Sequence, residues 1–309
     1  MNSKTLFYVL KRIGLAILTI WVVITITFFV MHAVPGGPFV GEKATTPAVQ
    51  AAMEAKYGLD KPVLEQYFTY LGDIVLRFDF GPSLKQRGRQ VIDIIADGMK
   101  VSAKLGLIAA FGALVVGIVL GAVAALQRNK VIDKVIMVIT TAFVSMPSFI
   151  AGALLLTIFA VSLHLLPANG AQKNGLILPV VTLGLYPMAY ITRLTKTSML
   201  DALNQDYIRT ARAKGVPSYK VIFKHALRNA LIPVITYVGP MIAFIITGSM
   251  VVETIFSTGG LGQEFVSAIT NRDYTMIMGT TIFLAVLMVT ANLITDIIYK
   301  IIDPRISFD

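Results

Sequence analysis

Residues 206–233 read Asp-Tyr-Ile-Arg-Thr-Ala-Arg-Ala-Lys-Gly-Val-Pro-Ser-Tyr-Lys-Val-Ile-Phe-Lys-His-Ala-Leu-Arg-Asn-Ala-Leu-Ile-Pro. This segment lies between two long apolar segments, and one acid, Asp206, opposes its six Lys and Arg residues. Residues 206–214 should form a helix that ends at Gly215-Val216-Pro217, because glycine accepts a left-handed cap and proline cannot continue the hydrogen-bond ladder. We expect Ser218 to cap a second helix that runs into the next apolar segment. The predicted arrangement is a short helix, a corner and a helix that enters a membrane.

The short helix over 206–214 carries two kinds of side chain that could meet a partner. Its basic residues suit an acidic or polar groove, and its apolar residues, Tyr207, Ile208 and Ala211, suit an apolar one. Gly215 should need a positive φ, which would set the direction of the corner. An ordinary positive-inside loop explains the charge as well as a docking element does.

The composition places the chain in a membrane. Of its 309 residues, 56% are hydrophobic and only 14% are charged, whereas soluble domains carry about 25% charged residues. The net charge of +10 does not indicate nucleic-acid binding, because the basic residues flank apolar runs without interleaved aromatic residues. The absence of cysteine excludes disulfides, thiolate metal sites and a cysteine nucleophile.

Six uncharged apolar runs approach or exceed the roughly 20 residues that a spanning helix needs. They cover residues 13–34, 105–127, 135–166, 175–192, 229–252 and 274–295. The third is too long for one span and should tilt or break at Pro147. The fourth and fifth contain prolines, whose freed carbonyls need water or neighbouring helices, so they could line an aqueous path or simply be kinked. The candidates for lining that path are Pro187, Tyr190, Tyr237 and Pro240.

Charge asymmetry predicts the orientation of these spans. The N-terminus, the 128–134 turn, the 193–228 loop and residues 297–309 together hold 16 Lys and Arg residues and five acids. The short loops on the opposite side hold only two basic residues, Lys173 and Arg272. The positive-inside rule therefore puts both termini and residues 193–228 in the cytoplasm.

Residues 35–100 form a polar, charge-balanced segment that should fold on the outer side. Thr46-Pro47 predicts the start of a helix and Gly58 its end. A second helix should follow Asp60-Lys61-Pro62, and a third, over 91–99, should lie near the membrane surface. We therefore divide the chain into four parts: residues 1–34, 35–100, a membrane core over 101–302 and a tail over 303–309.

The sequence lacks the motifs of several chemistries. It has no Gly-x-x-x-x-Gly-Lys-Ser/Thr phosphate loop and no His-Glu-x-x-His. Asp296 lies at the inner end of the sixth span, and an intramembrane carboxylate is typical of ion-coupled carriers. Lys300 lies four residues later and can pair with it at the interface. A secondary carrier and an assembly scaffold thus remain alternatives to the function that the next motif indicates.

The corner resembles the cytoplasmic signature loop of bacterial ABC-importer permeases, which reads Glu-Ala-Ala, three residues, then Gly. Arg209-Thr210-Ala211 occupies the Glu-Ala-Ala positions and Gly215 the glycine. The family's downstream Ile-x-Leu-Pro falls on His225, Leu227 and Arg228, so that only the leucine agrees. The string Arg-Thr-Ala-Arg-Ala-Lys-Gly is similar to the form in the peptide and nickel branch of that family.

Three further stretches resemble the same branch: Glu253-Thr-Ile-Phe256, Gly260-Leu-Gly262 and Asp303-Pro304-Arg305. In the family the first two belong to an external hairpin that meets the binding protein and covers the outer pathway. The resemblance therefore implies outer-gate residues at Glu253, Phe256, Gly260 and Gly262. It implies ATPase-coupling residues at Tyr207, Ile208, Arg209, Thr210, Ala211, Arg212, Lys214 and Gly215.

The resemblance implies an all-α integral membrane protein with six transmembrane helices in the type I ABC-importer permease fold. Such a subunit lies in the bacterial cell membrane among lipid and pairs with a second homologous permease subunit. Two cytoplasmic ATPase subunits bind ATP and Mg²⁺, an extracytoplasmic protein binds the substrate, and this chain itself holds no cofactor and catalyses no reaction. An oligopeptide or dipeptide is the expected substrate, with nickel or another small solute as the alternative.

Overall fold

The computed structural model describes residues 3–39 and 47–302, and the side chains of residues 11–39, 49 and 51–293. Within these ranges the chain folds into thirteen α-helices and no named strand, so the predicted all-α fold class is confirmed. The helices are α1 (Ser3–Ala33), α2 (Pro47–Lys56), α3 (Val63–Gly72), α4 (Val91–Leu126), α5 (Val131–Ser145), α6 (Ser148–Leu155), α7 (Ile177–Leu203), α8 (Asp206–Ala213), α9 (Ser218–Lys220), α10 (Arg228–Ile246), α11 (Met250–Phe256), α12 (Leu261–Asn271) and α13 (Tyr274–Ile302). Short π-helical stretches continue α3, α6 and α9, over Asp73–Arg77, Leu156–Ser162 and Val221–Leu227.

Among the described residues, five helical segments are long and apolar enough to span a membrane. These are most of α1, all of α4 and α7, the continuous helix from Ser218 to Ile246, and α13 as far as Leu293. The number becomes six when α5 and the segment Ser148–Ser162, between which the chain bends by 109°, count as one broken span. The predicted break at Pro147 is confirmed, because this residue has an extended ψ of 138° immediately before α6.

The ends of two predicted spans differ from the structure. α7 continues to Leu203, well past the predicted end at Thr192, because the polar residues that follow the apolar run are still compatible with a helix. α10 ends at Ile246, before the predicted end at Val252. A new helix, α11, begins at Met250 with the Ser249 hydroxyl accepting a hydrogen bond from the Val252 N–H. Hydropathy therefore located both spans but not their ends.

The predicted surface helix over 91–99 is wrong as a separate element. These residues form the first part of α4, which runs without interruption from Val91 to Leu126. No proline lies between Met99 and the apolar run that begins at Leu105, and nothing in that stretch ends a helix. The other two predicted helices of the segment are present. α2 begins at Pro47, and α3 begins directly after Pro62.

α4 and α7 approach each other closely at two glycines of α4. A Cβ on Gly117 would lie 2.8 Å from the Cβ of Ile191, and a Cβ on Gly121 would lie 2.5 Å from the carbonyl oxygen of Thr192. Small residues allow two membrane helices to come this close. An ion pair then joins α7 to α5, with 2.5 Å between the Lys196 ammonium and the Asp133 carboxylate.

Contacts divide the chain into two compact units, residues 1–99 with 263–290 and residues 100–262 with 291–309. In the first unit, apolar side chains of α1, α3 and α13 form a core with Ile24, Phe28, Met31, Tyr67, Ile74, Met278 and Ile282 buried. The buried Asp273 carboxylate accepts hydrogen bonds from the N–H groups of Leu84 and Met276 and from the Ser83 hydroxyl. It thereby caps the start of α13 and holds the 83–85 turn of the same unit.

The second unit contains α5–α11 and most of α4. A buried cluster of this unit gathers Ala125, Met199, Ala202, Ile208, Ala211, Val221, Ala226 and Ala230. These residues come from α4, α7, α8, the π-helical stretch and α10. α8 is therefore built into the packing of this unit.

Candidate functional site

The corner after α8 is a left-handed helix cap. The Gly215 N–H donates to the Arg212 carbonyl at 2.9 Å, and the Val216 N–H donates to the Ala211 carbonyl at 3.1 Å. These two bonds make the Schellman motif, which requires a left-handed residue at Gly215. Its φ of +73° confirms the positive φ that the sequence predicts. A Cβ at this position would meet nothing within 4 Å, so only the backbone conformation demands glycine.

The structure separates the α8 residues into a buried face and an exposed face. Ile208 is fully buried, and Ala211 is 8% exposed, both within the packing of this chain. The expectation that these two side chains are offered to a partner is therefore wrong. An apolar stripe on a short helix is covered wherever apolar surface is available, and here α7 and the helix after Pro217 supply it.

The exposed face of α8 is polar and basic. It presents the remaining coupling candidates, Tyr207, Arg209, Thr210, Arg212 and Lys214, together with Gly215 at the corner. Arg209 lies 3.6 Å from the Asp206 carboxylate, and both side chains are strongly exposed, so this pair adds little stability. The buried face thus anchors α8 in this chain, and the side chains of the exposed face do not pack against the rest of the chain.

The helix that follows the corner begins differently from the prediction. Pro217 occupies the N-cap position, and Ser218 is the first helical residue with no side-chain cap bond. The Pro217 carbonyl accepts from the N–H groups of Lys220 and Val221. Ser218 therefore does not cap this helix, because the fixed φ of the preceding proline already sets the turn. The helix then passes through the π-helical stretch Val221–Leu227 into α10.

The second candidate region is the connection between α11 and α12, residues 257–260. The four candidates implied there, Glu253, Phe256, Gly260 and Gly262, are all buried within this chain. They therefore build the interior of the connection and do not form its surface. Ser257 and Gly259, in the connection itself, are exposed.

Glu253 is a fully buried carboxylate with donors around it. It accepts hydrogen bonds from the Ser102 hydroxyl at 2.7 Å, the Gly262 N–H at 2.8 Å and the Ser249 N–H at 3.3 Å. The same Ser102 hydroxyl accepts from the Leu261 N–H at 2.8 Å. We call Ser102, Ser249, Glu253, Leu261 and Gly262 the carboxylate cluster.

The pathway candidates fall into two groups. The rings of Tyr190 on α7 and Tyr237 on α10 pack with their centroids 4.4 Å apart. Tyr190 is 40% exposed, Tyr237 and Pro240 are partly buried, and Pro187 is buried in the α7 packing. Tyr186, one turn before Tyr190, is 50% exposed and was missed from the sequence.

Ser102 was also missed, and no signal in the sequence could have found it. It precedes an apolar run and lies 151 positions from Glu253. The side chains of Asp296 and Lys300, and the Asp303-Pro304-Arg305 string, lie outside the described residues. Among the residues searched, no group of three His, Cys, Asp or Glu side chains is placed to hold a metal ion.

Two family profiles match this chain. The profile of the family described as "Binding-protein-dependent transport system inner membrane component" matches residues 117–308. A companion profile for the N-terminal part of such membrane components matches residues 5–101.

Two curated relatives are similar over almost their full length. The dipeptide transport system permease protein DppB of Bacillus subtilis (strain 168) is 46% identical over 301 residues, which is 97% of this chain and 97% of the relative. The oligopeptide transport system permease protein OppB of Escherichia coli (strain K12) is 44% identical over 304 residues, which is 97% of this chain and 99% of the relative.

Solved structures show the same fold at low identity. One, from inward-facing conformations of the MetNI methionine ABC transporter, has a TM-score of 0.54 at 17% identity and covers 69% of this chain and 97% of its own. Another, from an amino acid ABC transporter with histidines, has a TM-score of 0.55 at 14% identity and covers 68% of this chain and 94% of its own.

Proposed function

The chain belongs to the inner membrane components of binding-protein-dependent transport systems, within the oligopeptide and dipeptide ABC permeases, and we propose that it forms half of the translocation pathway of an ATP-driven peptide importer. The observation that carries this proposal is the 46% identity to a dipeptide permease over 97% of both chains. Nickel or another small solute remains the alternative substrate.

The proposal gives this chain a transport role without catalysis. Two ATPase subunits in the cytoplasm bind ATP and Mg²⁺ and hydrolyse ATP, and an extracytoplasmic protein delivers the substrate. The pathway lies between this chain and a second, homologous permease subunit in the bacterial cell membrane. Both termini lie in the cytoplasm, and residues 35–100 lie outside, as the charge asymmetry indicates.

The exposed face of α8 is the proposed contact with an ATPase subunit. It combines an aromatic side chain with Arg209, Arg212 and Lys214, and its other face is anchored by Ile208 and Ala211 in the packing of the chain. A displacement of α8 by an ATPase subunit would move the helices that pack against α8, because a close-packed core transmits strain. Gly215 fixes the angle between α8 and the helix that runs into α10.

Tyr186, Tyr190 and Tyr237 mark the proposed pathway-facing side of α7 and α10. A phenol hydroxyl exposed to lipid away from the interface would lose its hydrogen bonds, so such residues favour water or a neighbouring subunit. Pro187 and Pro240 remove backbone N–H donors from the same two helices and leave carbonyls to be satisfied nearby. Aromatic rings and carbonyl acceptors together suit the amide groups of a passing peptide.

Co-purification and reconstitution test the proposal. The tagged chain should bring down a second permease subunit and ATPase subunits, and proteoliposomes of that complex should take up peptide only with ATP and the liganded binding protein. A secondary carrier would instead be shown by uptake through the lone chain under a proton or sodium gradient. Uptake of nickel and not of peptides by the complex would keep the transporter class and replace the substrate.

A further inference from the structure

We propose that Glu253 is a positioning residue, whose buried carboxylate ties α4, α11 and the first turn of α12 together so that the 257–260 connection is held as one rigid piece. The connection would then present its exposed residues in a fixed place to the extracytoplasmic binding protein. The importance of that docking rests on the proposed function, whereas the rigidity of the connection does not.

One carboxylate serves the starts of two helices. The Ser249 N–H belongs to the N-cap residue of α11, and the Gly262 N–H lies in the first turn of α12. N–H groups at these positions have no partner within their own helix, and both helix ends carry partial positive charge. Glu253 therefore satisfies donors at both helix starts and ties the first turn of α12 to α11.

Ser102 joins this pair of helices to α4. Its hydroxyl donates to Glu253 and accepts from the Leu261 N–H, so a single side chain uses its donor and an acceptor at once. Ser102 is 1% exposed and Glu253 is fully buried, so solvent does not replace either bond. Removal of either side chain leaves buried donors of the carboxylate cluster without a partner and without access to water.

Three glycines leave the space that the carboxylate fills. A Cβ on Gly260 would overlap the Glu253 carboxylate, and Cβ atoms on Gly248 and Gly262 would lie 3.0 Å from its two oxygens. The backbone thus closes around the carboxylate on several sides. An amide at position 253 would turn an N–H₂ group toward an N–H or O–H donor, so glutamine cannot reproduce the arrangement.

The clustered bonds lie directly beneath an exposed tip. Ser257, with a φ of +48°, and Gly259, with a φ of +74°, are exposed in the four-residue connection between Phe256 and Leu261. The Phe256 carbonyl also accepts from the Gly170 N–H at 2.6 Å, which holds the other side of the tip. The hydrogen bonds of the Glu253 carboxylate therefore limit the motion of the 257–260 connection.

Hydrogen–deuterium exchange on the assembled transporter tests the rigidity. In Glu253→Gln, amides in 257–262 should exchange at least about tenfold faster, because one buried hydrogen-bond network no longer closes. Ser102→Ala should give a smaller acceleration in the same peptides and guards against failure of the first variant to fold. Adding Ser102→Ala to Glu253→Gln should have little further effect, because both remove the same network. Glu65→Gln, which changes an exposed glutamate, is the matched control.

A second readout separates positioning from mere stability. The concentration of liganded binding protein that half-maximally stimulates ATP hydrolysis should rise more in Glu253→Gln than the maximal rate falls, since the docking face is misplaced. Unchanged exchange in both Glu253→Gln and Ser102→Ala would overturn the rigid-tip proposal. Faster exchange with an unchanged half-saturating concentration would overturn the docking role, while uptake by the wild-type complex would still support the proposed function.

Discussion

Two glycine corners of this chain look alike in sequence and differ in physical cause. At the corner after α8, Gly215 has open space around its Cα and a φ of +73°. At the α11–α12 connection, Gly260 needs no positive φ but has the Glu253 carboxylate where a Cβ would be. The first corner needs glycine for its backbone conformation and the second for space. One should therefore tolerate a residue that accepts the left-handed region, and the other should tolerate no side chain.

Gly260→Ala should have the largest effect in this comparison. The added methyl overlaps a buried carboxylate that is held by several donors, so the network must break or the backbone must shift. The expected loss of stability is about 3 kcal/mol, at the upper end of the usual cost of overpacking. Thermal unfolding of the purified chain in detergent measures this loss.

Gly112→Ala is the matched control for that experiment. Gly112 lies inside α4, and a Cβ there would meet nothing within 4 Å. Alanine should leave the melting temperature unchanged or raise it slightly, since glycine weakens a helix interior. Equal melting temperatures for Gly260→Ala and wild type would show that the connection is not packed as described.

Gly215→Val should leave membrane insertion intact and damage transport. A β-branched residue resists the left-handed region, at a local cost of roughly 1–2 kcal/mol or more, and α8 should leave its place relative to the following helix. Peptide uptake and stimulation of ATP hydrolysis by the liganded binding protein should fall together, whereas membrane insertion should not change. Loss of insertion would show that Gly215 serves folding first, and undiminished uptake would remove the corner from the mechanism.

Ile208→Val and Tyr207→Ala compare the two faces of α8. Removing one methylene from the fully buried Ile208 should cost about 1 kcal/mol of stability. Tyr207 is 39% exposed, so its truncation should change stability by less than about 0.5 kcal/mol. Ile208→Val should therefore lower the melting temperature more than Tyr207→Ala does. Tyr207→Ala should reduce the recovery of ATPase subunits more than Ile208→Val does. The reverse pattern would restore Ile208 as a partner contact.

Gly215→Asn should have the smallest effect. Asparagine enters the left-handed region more readily than other residues, and open space surrounds the position. Uptake should stay within about twofold of wild type, which corresponds to a local cost of roughly 0.4 kcal/mol. A loss as large as that of Gly215→Val would mean that the side chain itself, and not φ, disturbs the corner.

The sequence predicted the elements that depend on local chemistry. The lengths of the apolar runs gave the spans, Pro147 gave the bend between α5 and α6, and Gly215 gave the left-handed corner. The helix predicted over 206–214 is present as Asp206–Ala213, because helix ends are set by side chains within a few positions.

The parts that the sequence did not predict depend on distant partners. The bond between Ser102 and Glu253 joins residues 151 positions apart, and one polar side chain beside an apolar run carries no sign of it. Ile208 and Ala211 form an apolar stripe, but a stripe does not tell whether its own chain or a partner covers it. The sequence predicted a separate surface helix over 91–99 because the hydropathy rises only after Met99. In the structure both parts belong to α4, which continues through this change.

The exposed basic face of α8 is the proposed contact through which the ATPase subunits act on this chain. The most direct measurement is recovery of those subunits with the tagged chain, and ATP-driven uptake, for the double variant Arg209→Glu and Arg212→Glu. Lys61→Glu, which changes an exposed lysine of the 35–100 segment, is the control. The double variant should insert normally but lose most of its ATPase partners and its uptake, while the control should keep both. Full recovery of the ATPase subunits together with wild-type uptake in the double variant would contradict the proposed contact.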